Sequence, residues 1–115
     1  MDYTKNNELI VEFLGAKVNP DTFFINGMYV HSKVKFLKFH TSMDLLIEVV
    51  EKIELCENGN IDVNILKNGT EIRNYSSNEL LYTNVADISF KHKIEHLYQA
   101  VIWFLHWYNN KHNKI

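Results

Sequence analysis

From Lys91 to Asn110 the chain contains neither glycine nor proline, and its apolar residues leave almost no side of a helix polar. Ile94, Leu97, Tyr98, Val101, Phe104, Leu105 and Tyr108 recur at the spacing of one helical face. Stepping about 100° per residue from Ile94 puts Trp103 and Trp107 on the opposite side, with Ala100 and His96 beside them. A helix that is apolar all round has to be buried on both sides. The second stripe is therefore either covered by another part of this chain or used as an interface, in a homodimer or with a foreign protein. Trp and Tyr are enriched at interface hot spots, so Trp103, Trp107, His96 and Ala100 are the candidate binding residues.

The rest of the chain supplies the elements that such a helix needs around it. Leu9, Ile10, Phe13 and Leu14 are helically spaced, and Gly15 follows as a stop, which predicts a helix over about Asn7–Leu14. Thr22–Ile25 and Met28–His31 flank Asn26-Gly27, a strong short hairpin signal because both turn residues tolerate positive φ. Val34–Phe39 reads as a third strand, whose Lys33, Lys35 and Lys38 suit a sheet edge. Thr41-Ser42-Met43-Asp44 is a helix start with a hydroxyl cap and an acid in the first turn. Behind it Leu46, Val49, Val50 and Ile53 form an apolar stripe, with Glu48, Glu51, Lys52 and Glu54 on the wet face. Ile61, Val63 and Ile65 alternate with Asp62 and Asn64 at strand period. Lys67–Thr70 then turns the chain into a return strand over Glu71–Tyr75, making a second Asn-Gly hairpin at Asn68-Gly69. Leu80–Asn84 is a further short strand, and the tail Lys111–Ile115 is expected to fray. Separate hairpins with flanking helices define an α+β fold: three helices packed on a small, mostly antiparallel sheet. At 115 residues this is one domain, 1–115.

Composition narrows the function classes. The formal net charge is −2, and the 12 basic residues include a single arginine, Arg73. Binding to a duplex requires a cationic face that displaces counterions, and arginine makes the bidentate contacts to phosphate and guanine. The composition therefore argues against nucleic acid. Cys56 is the only cysteine, so no internal disulfide forms. Together with a polar opening from Met1 to Glu8 and no apolar run near ~20 residues, this predicts a cytoplasmic protein without a membrane span.

The catalytic motifs are weak. His92-Lys93-Ile94-Glu95-His96 spells H-x-x-E-H, a zinc-hydrolase pattern in which His92 and His96 would hold the metal and Glu95 would act as base. Three fixed letters arise readily by chance in a chain with six histidines, and such a site needs a third ligand and a cleft. His31, His40, His106 and His112 have no ligand spacing. Cys56 follows a helix C-terminus, where the dipole disfavours a thiolate. Glu48, Glu51, Glu54 and Glu57 read as a solvated face. No glycine-rich phosphate loop is present. The expectation is no catalytic residue, no resident metal and no cofactor, with a second reading as a small-ligand or nucleotide-binding module in which Lys33, Lys35 and Lys38 supply cations.

Three segments carry a resemblance: Asn7–Gly15, His40–Leu46 running into Val49–Glu54, and Lys93–Val101 ending in Phe104–Asn109. In this order they resemble small phage and prophage proteins described as phage ABA sandwich domains. The segments Val18–Phe39 and Asn74–Phe90 do not follow that pattern. The resemblance implies helix–sheet–helix layering and a phage or mobile-element origin, and no activity. By analogy it suggests an accessory protein that binds and blocks a host factor, an anti-CRISPR-like inhibitor of defence being one such role.

Overall fold

In the computed structural model, residues 3–15, 23–25, 28–30, 39–87 and 89–112 are described. Helix α1 spans Thr4–Phe13 and ends on Leu14 and Gly15, whose φ of +80° is the left-handed conformation that glycine adopts without penalty. Strands β1 (Phe23–Ile25) and β2 (Met28–Val30) pair antiparallel, Ile25 opposite Met28, as the first Asn-Gly predicts. Their turn lies outside the described residues, as does the expected third strand over Val34–Phe39 up to Lys38; Phe39 itself is a buried turn residue.

Helix α2 (Met43–Glu54) begins where its sequence says it should. The Ser42 side chain accepts a hydrogen bond from the Leu45 N–H at 3.4 Å, and Asp44 sits in the first turn. Its buried residues are Leu46, Val49, Val50 and Ile53, each contributing about 1.5–3 kcal/mol of apolar transfer. Glu54 departs from the wet face: it is half-buried and accepts the Val63 N–H at 3.2 Å, tying the end of the helix to the next strand.

A turn labelled α3 (Cys56–Gly59) follows, with φ of 55° at Glu57, 61° at Asn58 and 80° at Gly59. The left-handed region costs an ordinary residue about 1–2 kcal/mol, and asparagine and glycine less. Glu57 is held there from outside. Its two carboxylate oxygens meet Lys111 Nζ at 2.9 Å and His112 Nε2 at 3.1 Å, and these partners pull its carboxyl below the usual value. The same clamp orders the end of the last helix, α4 (Lys93–His112). Lys111 and His112 are thus helical, against the expectation that the tail frays from Lys111 onward.

Strands β3 (Ile61–Ile65), β4 (Thr70–Asn74) and β5 (Leu80–Thr83) form an antiparallel sheet in that order. Ile72 pairs with Tyr82 and Arg73 with Leu80, so Leu81 is an extra residue in β5. Strand alternation puts Thr70 and Ile72 on the buried face and Glu71 and Arg73 on the other. The second hairpin forms without left-handed residues at Asn68 or Gly69, so its glycine has another reason, taken up below. α2 and α4 both pack on the sheet, and α1 packs on α4. The result is an α+β fold in which α4 lies between helices and sheet. His96, Leu97, Tyr98, Ala100, Val101, Ile102, Phe104 and Leu105 are all buried along it. No described helix is long and apolar enough to cross a membrane.

Candidate functional site

The second stripe of α4 faces the sheet. His96 is 2% exposed and Ala100 is fully buried. His96 Nδ1 lies 2.7 Å from the hydroxyl of Thr70 at the start of β4. Asn84, just after β5, locks this corner: its carbonyl accepts the Thr70 N–H at 2.7 Å, and its amide donates to the His96 carbonyl at 2.9 Å and to the Tyr82 hydroxyl at 3.3 Å. Sheet and helix are thereby joined by a buried polar network, the kind of feature that is stabilising when satisfied and costly when one partner is lost. Nothing in the local sequence announces it, because its members come from three separate elements.

Burial, and secondarily the neighbouring Lys93 ammonium, lowers the His96 pKa below its ordinary 6.5. The sign follows by linkage. The unfolded chain binds the proton more readily, so this contribution is complete above pH 6.5 and is lost as pH falls towards the folded value. The melting temperature is therefore expected to fall on acidification through this range, and NMR titration of the His96 ring should give a midpoint below 6.5. A midpoint at or above the ordinary value would contradict the buried neutral imidazole.

A hydroxyl beside an imidazole is also the start of a nucleophile–base pair. Here the Thr70 side chain is fully buried, as is His96 to 2%, so a substrate has no route to either without local opening. The zinc-pattern residues do not converge: His92 is exposed and precedes α4, Glu95 is exposed, and His96 is committed to Thr70. Among the described residues no three metal-binding side chains come together. Lys33, Lys35 and Lys38 lie outside the described residues. His106 is exposed, and Cys56 is half-buried with its thiol raised in pKa, first by burial and then by the Glu57 carboxylate.

Towards its C-terminal half the stripe outgrows its cover. Tyr82 shares the helix-facing side with Ile72 and stacks on Trp103 with centroids 4.9 Å apart. Trp103 in turn stacks on Trp107 at 6.2 Å, and Lys111 Nζ sits 5.0 Å from the centre of the Trp107 ring. Both tryptophans are half-buried, with their inner sides against the core. The four predicted binding residues therefore divide: His96 and Ala100 belong to the interior, while Trp103 and Trp107 form a rigid aromatic ladder reaching the surface.

A separate groove of about 480 Å³ lies between the C-terminal ends of α1, α2 and α4. Phe13, Leu55 and Tyr108 supply its apolar surface and Glu12 and Lys52 its charges; Leu55 is 75% exposed. No protein-family model matches this chain, and no curated protein or solved structure matches it either.

Proposed function

We propose that this chain is a non-catalytic accessory protein of phage or mobile-element type that works by binding another protein. The contact surface is the outer part of the Tyr82–Trp103–Trp107 ladder, and the observation that carries the reading is the pair of half-buried, stacked tryptophans on α4. Tryptophan anchors dominate many interfaces. Side chains already held by their neighbours lose little further rotamer freedom on binding, so more of the contact energy appears as affinity. The resemblance of the three helical segments to phage ABA sandwich proteins supplies the phage assignment. A host defence factor is the partner class that such an accessory protein would block. A second copy of the chain is the other partner that this surface accommodates.

The ladder can be separated from the fold by substitution. Trp107, at the far end, contributes less to the core than Phe104 beside it, which is fully buried. Trp107→Ala is expected to keep the thermal transition cooperative while weakening self-association or partner binding by about thirtyfold or more, the hot-spot range. Melting and sedimentation measured on the same samples check this. An unfolded variant, or one that associates as the parent does, would contradict the reading.

A further inference from the structure

The rings at the other end of the molecule form a second arrangement, independent of the ladder. Tyr3, at the start of α1, lies flat on His40 with centroids 3.8 Å apart and 8° between planes. Tyr98 of α4 stands across both, 5.8 Å and 76° from Tyr3 and 6.2 Å and 68° from His40. With Phe90 and Glu95 these rings line a cavity of about 260 Å³. Aromatic walls thus meet nearly at right angles beside one carboxylate.

Among the described residues that line it, the fixed charge has one sign. Glu95 makes no salt bridge among the described residues. Tyr98 adds no second anion: burial pushes its hydroxyl up to about 12, with the Asn6 side chain beside it acting the other way. Among the described residues no lysine or arginine lines the cavity. Ring faces carry negative quadrupolar charge and attract cations, most strongly where water is excluded, and quaternary ammonium groups are the ligands that aromatic cages take. The size decides between candidates. Pockets for drug-sized ligands run to roughly 300–1,000 Å³, so this cavity suits a small head group better than a nucleotide, whose phosphates Glu95 would also repel.

We propose that the Tyr3–His40–Phe90–Tyr98 cavity is a binding site for a small organic cation of the quaternary ammonium class, with Glu95 as its counter-ion. Half-buried Tyr3 and Phe90 present the π surface, buried Tyr98 closes the inner wall, and Glu95 at the rim sets the preference for positive charge over a neutral group of equal shape.

The test is an NMR titration of the full chain with choline and, separately, with its neutral tert-butyl analogue, at about pH 8, where histidine side chains are ordinarily uncharged. Choline is expected to bind saturably and to move the Tyr3, Phe90 and Tyr98 ring signals. The neutral analogue should bind about tenfold more weakly, and Glu95→Gln, a change at an exposed position, should weaken choline by several-fold to tenfold. Tyr3→Leu should lose most of the binding. Unmoved ring signals through the millimolar range, equal affinity for the neutral analogue, or unchanged choline binding in Glu95→Gln would each overturn the proposal.

Discussion

Phe104→Ala is expected to cost about 3–5 kcal/mol, the range for removing a fully buried aromatic ring. Phe104 has no exposed surface. It meets Phe13 of α1 edge-on at 6.5 Å, stacks on Tyr108 at 5.9 Å and packs obliquely against Trp107 at 5.5 Å. Those neighbours are large, rigid rings held on two helices, so the hole left by truncation cannot close by a rotamer change. Both the lost transfer energy and the cavity term are then felt. Against a total stability of about 5–15 kcal/mol for a domain, the loss is about a fifth or more. Urea denaturation should show a much lower midpoint with an unchanged slope. A shift worth under about 1 kcal/mol would mean that α1 and α4 do not share this core.

Gly69→Ala is the second large effect, and its cause is space. A Cβ built at Gly69 would stand 2.5 Å from Val85 Cα, 2.7 Å from Val85 N and 2.9 Å from Val85 Cγ2. Two of these three atoms are backbone and cannot rotate away. The segment after β5 crosses directly over the β3–β4 turn, where the Asn84 N–H also bonds to the Thr70 carbonyl at 3.2 Å. Adding the methyl group has to push Val85 and the buried Asn84–Thr70–His96 network with it. Overpacking of this kind typically costs about 1–3 kcal/mol, and the upper end is expected because a hydrogen-bonded corner moves as a unit. Thermal melting and amide exchange at Thr70 and Asn84 would register it. A variant as stable as the parent would show that the crossing is looser than the geometry indicates.

These two sites mark where sequence reasoning succeeds and where it stops. The α2 cap at Ser42 and the stripe Leu46, Val49, Val50 and Ile53 were legible because both are local: a hydroxyl reaches three residues ahead, and a helical face repeats by itself. The alternation of Ile61, Val63 and Ile65 is legible for the same reason, and so is the short strand expected over Leu80–Asn84 and found over Leu80–Thr83. The sequence marks Gly69 as a turn residue, yet the structure gives it no positive φ. Its glycine answers to Val85, 16 positions on, which no window around the turn contains. The second stripe of α4 shows the same limit. Periodicity places His96, Ala100, Trp103 and Trp107 together, but it carries no sign of Thr70, Asn84 and Tyr82 waiting on the sheet to cover half of it. The left-handed Glu57 and its clamp by Lys111 and His112 also join distant positions. So does the ring cluster of Tyr3, His40 and Tyr98, whose members are ordinary aromatics until the fold collects them.

That division also shapes the functional reading. With His96 and Ala100 inside, the proposed binding surface is confined to the outer ladder, where Trp103 and Trp107 stack on one another. Lys111 lies over the last ring, but its charge is offset there by the Glu57 carboxylate.

The most direct measurement is native mass spectrometry of the purified protein, alone and after mixing with host lysate, run side by side for the parent chain and Trp107→Ala. Binding through the ladder predicts a homodimer, or a fixed-stoichiometry complex with one host protein, that is present for the parent and absent for the variant. A bare monomer that captures nothing, or a complex that forms equally well without the Trp107 ring, would contradict it.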